Sequence, residues 1–331
     1  MRPFEYASPE TETEALELMT DGSGDTALLA GGTDLIGLMQ RDVLQPNRVV
    51  NVKNIESMRG VVPADDGLLI GALTTLEDLQ DEPLAAQHRS LLHVVDGVRA
   101  IQIQSMGTVG GDLCHLPNCW YFRNGYGLLA MQDGESLVET GDNRYHAIFA
   151  NQGPAKFVSA SRFAPPLIAW EARVRVIGPR PQDEEWLPLE YFFQTPRTDR
   201  QGVTVLKPGQ LISHVWVPLA QETRSATYDV MQLEGLDWPL ASASVCLDLE
   251  GGTVKKANIV LGHVAPVPWV SQAAADALLG QSVNEATADL AGQAAVASAS
   301  PLSDNEYRVR MARTAVKRAI LKATDQLEGG L

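Results

Sequence analysis

Leu28-Leu29-Ala30-Gly31-Gly32-Thr33-Asp34-Leu35 and, further on, Gly107-Thr108-Val109-Gly110-Gly111-Asp112 are the two stretches on which the fold turns. The first continues the apolar run Thr26-Ala27-Leu28-Leu29 and leads into Asp34-Leu35-Ile36-Gly37-Leu38-Met39. A strand that feeds a tight turn and then a helix has this pattern. A side chain at Gly31 or Gly32 would hold a ligand away, whereas bare backbone amides can wrap a phosphate. One such loop is a weak signal. Two of them, with Thr33 and Thr108 beside the glycines, suggest two backbone cradles closing on one diphosphate.

The chain of 331 residues has room for two or three domains, at about 100–200 residues each. Its net charge of −15 argues against a nucleic-acid partner, because phosphates need a basic face. The same charge disfavours an anionic membrane surface. No stretch approaches the ~20 apolar residues that span a bilayer, and no signal-peptide core follows Met1-Arg2-Pro3. Cys114, Cys119 and Cys246 are an odd, sparse set, as expected in a reducing compartment. The cytoplasm is the expected location, export beside a signal-bearing partner being the other route.

Residues 1–55 read as a small α/β unit, with a helix over 12–19, strands over 27–30 and 48–51, and a helix from Asp34. A second unit covers 56–178. Asp65-Asp66-Gly67 makes a turn before a strand at 68–70, and Thr74 or Thr75 can cap the helix that follows. A helical pattern over 91–103 runs into the second glycine loop, and 167–177 reads as a strand. Gly178-Pro179-Arg180-Pro181 marks the expected domain boundary. Beyond it, in 183–331, strands over 203–206, 212–217, 245–249 and 257–264 are expected in an antiparallel sheet. Gly251-Gly252 turns between two of them, and helices over 273–299 and 305–326 close the fold. Strands followed by helices make an α+β domain.

The first loop resembles the FAD diphosphate loop of the flavin subunit of molybdenum hydroxylases, the xanthine oxidase family. Gln102-Ile103-Gln104-Ser105-Met106, running into the second loop, is similar to that family's Gln-Ile-Arg-Asn-x-Gly-Thr-Ile-Gly-Gly-Asn. Tyr191-Phe192-Phe193, Leu206-Lys207-Pro208-Gly209-Gln210-Leu211-Ile212 and Leu236-Asp237-Trp238-Pro239-Leu240-Ala241 resemble later family segments, in the same order. The resemblance implies an α+β fold: a bipartite FAD-binding domain of PCMH/vanillyl-alcohol-oxidase type, then a CO-dehydrogenase-flavoprotein-like C-terminal α+β domain. It implies FAD held by Leu28 to Leu35, by Ile103, by Thr108, Val109, Gly110, Gly111 and Asp112, and by Ser161 and Ile212. The isoalloxazine would face the C-terminal domain near Ile212 and Val230. Implied partners are a large molybdopterin subunit, a small subunit with two [2Fe–2S] clusters that passes electrons to the FAD, and a terminal acceptor.

Cys119-Trp120-Tyr121-Phe122 matches the opening of an inserted loop in the flavin subunits of 4-hydroxybenzoyl-CoA reductase and aldehyde oxidoreductase. Asn143-Arg144-Tyr145-His146-Ala147-Ile148 matches the segment behind it. That loop carries a [4Fe–4S] cluster on four cysteines, but residues 123–142 hold none here. Three scattered thiols cannot replace four, so no cluster is expected on this chain. Cys114, His115 and Cys119 also fall short of a four-ligand zinc set.

Other departures fall near the second loop. Gln104 stands where the family has Arg, and Asp112 where it has Asn; a turn Asp can instead accept backbone amides. Residues 158–167 keep Ser161 but lack the family's His and Asp, and a lysine of many relatives falls at Val230. No catalytic residue is expected, since His93, His146, His214 and His263 have no nucleophile at recognisable spacing. Two other readings stay open: a self-contained flavin oxidase or reductase acting on a small molecule, and a cofactor-free scaffold subunit.

Overall fold

A computed structural model of the chain describes residues 1–22, 25–233 and 237–327. Leu236, which opens the last matching segment, lies outside them. β1 (Glu5–Ala7), α1 (Glu12–Thr20), β2 (Thr26–Leu29), α2 (Leu35–Gln40) and β3 (Arg48–Asn51) build a parallel sheet in the order β1-β3-β2. The central strand β3 is buried along its whole length, so its Val49-Val50 pair shows no polar alternation.

β4 (Val61–Ala64) and β5 (Gly67–Gly71) form the expected hairpin. α3 (Leu76–Asp81) starts at Thr75, whose hydroxyl accepts from Asp78 N while the Asp78 carboxylate accepts from Thr75 N. The helical pattern over 91–103 divides into α4 (Arg89–Gly97) and α5 (Ile101–Met106), because Val98 leaves the helix and turns into the core. α6 (Val109–Leu113) carries the second glycine pair. α7 (Trp120–Arg123), the short ribbon of β6 (Met131–Gln132) and β7 (Glu135–Ser136), and α8 (Leu137–Thr140) lie in the stretch that resembles an insertion.

The stretch over 167–177 is not one strand. It is α9 (Ala164–Ala169) followed by β8 (Arg173–Ile177). Pro165 and Pro166 fit the first helical turn, where a missing N–H costs nothing, and every residue of α9 is buried. A fully buried helix has no polar face, so its apolar run cannot be told from a strand by periodicity.

β9 (Glu184–Pro188) and β10 (Leu211–Pro218) complete an antiparallel sheet in the order β4-β5-β10-β8-β9. β8 pairs with β9 across residues 178–183, so that Pro-rich stretch is a hairpin loop within one sheet. The strand expected at 212–217 belongs to this sheet too, and the one expected at 203–206 is a single bridge between Thr204 and Phe193.

A second antiparallel sheet, in the order β11 (Arg224–Val230), β12 (Ala241–Glu250), β13 (Thr253–Gly262), β14 (Trp269–Val270), begins beyond β10. Gly251 and Gly252, at φ +58° and +82°, make its central hairpin. α10 (Gln272–Leu278), α11 (Glu285–Ala295) and α12 (Tyr307–Ala323) cover one face. The two sheets have separate cores joined by α9, which packs on β12 and β13 and accepts the Asn258 side-chain amide on Ala169 O at 2.9 Å. Among the described residues no helix is long and apolar enough to cross a membrane.

Candidate functional site

The two glycine loops meet at Gly31. A Cβ there would stand 1.8 Å from Met106 O, at the end of α5. Gly32 has φ +73°, the left-handed region that favours glycine. Leu28 and Leu29 sit in β2 opposite Val50 and Asn51, and Ala30 O accepts from Lys53 Nζ at 3.3 Å. Burial lowers the pKa of that ammonium group. Thr33 is exposed in the turn. Asp34 precedes Leu35 at the start of α2; its carboxylate is ion-paired to Arg123 and lies 3.6 Å from His115 Nε2. The first loop thus combines a glycine turn, a nearby lysine and an aspartate whose charge is already met.

The second loop is built differently. Val109 N donates to Thr74 O, Gly110 N to Ala72 O, Gly111 N to Thr108 Oγ1 and Asp112 N to Thr108 O, at 2.8–3.1 Å. All four amides at the head of α6 are spent inside the protein, which corrects the expectation of a second amide cradle. Gly110 is required by packing: its Cβ would lie 2.7 Å from Ala72 Cβ and 2.8 Å from Ala72 O. What α5 presents outward includes the apolar side chains of Ile101, Ile103 and Met106 beside the exposed Gln102.

Asp112 turns to the residues at the start of α9. Its Oδ1 accepts from the Ser161 hydroxyl at 2.5 Å and Phe163 N at 2.9 Å, and its Oδ2 from Arg162 N at 3.2 Å. Ser161 Oγ in turn accepts from Ala164 N at 3.0 Å. The pair therefore pins the start of α9 to the second loop, and both side chains are engaged by protein. Burial outweighs these bonds and raises the Asp112 carboxyl above its usual range.

A cavity of about 380 Å³ opens between the stretch 118–124 and the segment 237–240. Trp120, Tyr145 and Trp238 line it; the Trp120 and Tyr145 rings meet edge to face at 5.4 Å, and Trp238 meets His115 at 4.9 Å. Arg123 lines it as well and ties it to Asp34, while Ala160 joins it to Ser161. Ile212 does not reach this cavity: it is 6% exposed in β10 and belongs to the first core. Val230 ends β11, and the chain after it supplies Gln232 and Asp237 to Leu240 to the cavity wall.

His146, His263 and Arg308 also line the cavity. Arg308, 1% exposed, donates Nη1 to His146 O at 2.9 Å and Nη2 to Leu240 O and His263 O. Among the described residues no carboxylate is ion-paired with it, and burial pushes its pKa down to about 10, so it stays charged at neutral pH. Burial likewise lowers His146 to about 4 and, with Arg162 and Arg308 nearby, His263 to about 3. Cys119 Sγ is 3.2 Å from His146 Nε2. Cys114, Cys119 and Cys246 are all free.

Those two histidines give stability a pH dependence. Both are neutral when folded, whereas unfolded histidine takes a proton near pH 6.5, so acid favours the unfolded chain. Each is expected to cost about 2 kcal/mol by pH 5. The urea midpoint should fall between pH 7 and pH 5, and His263→Gln should flatten that fall; equal slopes in both proteins would contradict the assignment.

Lys53, Arg123, Arg308 and the cavity face of Trp238 were not reached as site residues from sequence. Asp237-Trp238-Pro239-Leu240 did stand out as a segment. The three cations carried no local signal, because each is brought in by pairing or packing between distant elements.

Residues 2–220 match the family described as the FAD binding domain in molybdopterin dehydrogenase, and residues 226–323 the CO dehydrogenase flavoprotein C-terminal domain. The interval between the two matches coincides with the change of sheet from β10 to β11. The chain is 26% identical over 324 residues to the carbon monoxide dehydrogenase medium chain of Hydrogenophaga pseudoflava, covering 96% of both. It is 25% identical to the aldehyde oxidoreductase FAD-binding subunit of Escherichia coli, covering 98% of this chain and all of that one. A solved chain of the Hydrogenophaga pseudoflava carbon monoxide dehydrogenase superposes with a TM-score of 0.78 at 26% identity, covering 98% and 99% of the two chains.

Proposed function

We propose that this chain, which belongs to the FAD-binding domain family of molybdopterin dehydrogenases, is the flavin subunit of a molybdenum hydroxylase or dehydrogenase complex. Its FAD lies with the diphosphate against the first loop, from Leu28 to Leu35, and with the isoalloxazine in the cavity beside Trp238. Ile103, Thr108 and Val109 border the adenosine end. Gly110, Gly111, Asp112 and Ser161 act by holding the second loop in place, and Ile212 by packing the sheet behind it. Electrons arrive from the [2Fe–2S] clusters of a small partner subunit, which draws them from a large molybdopterin subunit, and leave to a terminal acceptor. Three free cysteines suit assembly in the cytoplasm.

The observation that carries this reading is the contact of Gly31 with Met106 O: a bare backbone turn is held beside a second loop, with an aromatic cavity of ring size joined to both through Arg123 and Ala160. The residues fit the cofactor. Lys53 offers a cation near the turn, and the ion pair with Arg123 removes the Asp34 charge that would oppose a diphosphate. FAD supplies the redox chemistry itself. The chain's part is to bind it, orient the ring and exclude water.

Purified without partners, the chain is expected to be yellow and to release about one FAD per chain on denaturation, the stoichiometry of a resident cofactor. A folded, colourless protein that takes up no added FAD would refute the reading.

A further inference from the structure

Asp34 follows the glycine turn by two residues, where the diphosphate is proposed to lie, yet its side chain is unsuited to hold one. An ionised carboxylate only accepts hydrogen bonds, and a diphosphate is likewise an acceptor. The Asp34 Oδ1 is taken instead by the Arg123 guanidinium. The two side chains are 20% and 14% exposed, so the pair escapes much of the solvent screening that weakens surface ion pairs.

From that oxygen two routes lead to the cavity. Arg123 lines the cavity and spends its other nitrogens on the chain just ahead of Asn118, Cys119 and Trp120. Its Nε donates to Pro117 O and its Nη2 to Leu116 O, both at 2.9 Å. On the second route, His115 Nε2 lies 3.6 Å from the same Asp34 oxygen, and the His115 ring meets Trp238 edge-on at 4.9 Å. Trp120 and Trp238 belong to the two segments between which the cavity opens. One carboxylate thus stands behind both.

We propose that the Asp34 side chain is a positioning group for the ring cavity and not a ligand of the diphosphate. Through Arg123 it fixes the stretch that carries Trp120, and through His115 it backs Trp238. The inference rests on the FAD reading above and says which half of the cofactor this acid serves. The glycine backbone and Lys53 are left to meet the diphosphate.

Calorimetric binding of ADP and of riboflavin to flavin-depleted full-length protein separates the halves. ADP has the diphosphate without the ring, and riboflavin the ring without a phosphate. In Asp34→Ala the riboflavin affinity should fall about tenfold, the size of a lost charge-assisted contact. The ADP affinity should hold or rise, because a negative charge has left the loop. Asp34→Asn, whose amide oxygen can still accept from Arg123, should keep part of the riboflavin affinity. Arg123→Met should weaken riboflavin about as far, and Asp34→Ala added to it should cost less than it does alone. An ADP loss in Asp34→Ala as large as the riboflavin loss, or larger, would overturn the inference while the flavin reading stood. Wild-type protein that bound neither ligand would sink both.

Discussion

Gly31→Val is expected to remove FAD from the purified protein, leaving less than about a tenth of the wild-type content, and to cost about 3 kcal/mol of stability. The cause is steric and local. A Cβ at position 31 would sit 1.8 Å from Met106 O and 2.7 Å from Met106 C. Both are backbone atoms, so no rotamer change relieves the clash. The first loop must move away from α5, and that opens the junction at which the diphosphate is proposed to lie. Overpacking of a core by a flexible neighbour typically costs about 1–3 kcal/mol; rigid backbone on both sides places this substitution at the upper end. Gly37, one turn into α2, is the matched control: a Cβ there meets nothing within 4 Å. Gly37→Ala should keep its flavin and gain a few tenths of a kcal/mol from lower chain entropy. Flavin content and the thermal midpoint of both proteins check this. Stoichiometric FAD in Gly31→Val would remove the first loop from the site.

The same pair of positions explains how much could be read beforehand. The first loop was legible because its signal is local: an apolar strand, a glycine turn and a helix start follow one another within a dozen residues. The second loop looked like its twin, yet its amides point back to Ala72 and Thr74. Those acceptors lie in the β5–α3 connection, and nothing in the spacing of Gly110 and Gly111 announces them. Asp112 could be foreseen as an acceptor of backbone amides, but not that the amides would come from the start of α9. Lys53 reaches the first loop only because β2 and β3 are parallel neighbours, with Leu29 level with Asn51. Arg123 meets Asp34 across 89 residues of sequence. The Pro-rich hairpin at 178–183 looked like a linker because hairpin loops and linkers share a composition, and pairing of β8 with β9 is a non-local fact.

Arg308→Met is expected to be among the most damaging single substitutions in the C-terminal unit, at about 3 kcal/mol or more. Replacing a buried charged group by an apolar one can be neutral when its partners are replaced as well. Here the partners are main-chain carbonyls and remain. Leu240 O, His146 O and His263 O come from the segment entering β12, the stretch behind the insertion-like loop, and the residue leaving β13. His146 O retains the Asn305 side-chain amide at 3.0 Å, so the loss falls chiefly on the other two. Methionine fills much of the volume but donates nothing. Removing the guanidinium relieves its desolvation, yet burial lowers its pKa only to about 10, so the group it replaces is charged at neutral pH and donates to all three carbonyls. The unpaired carbonyls therefore decide the sign. Arg308→Lys keeps the charge as a single point without the planar fork and should recover only part of the loss. Urea unfolding of the three proteins measures it. A methionine variant within 0.5 kcal/mol of wild type, a difference typical of a surface change, would show that Arg308 is not what joins these three segments. A lysine variant no better than methionine would instead locate the effect in the geometry of the fork rather than in its charge.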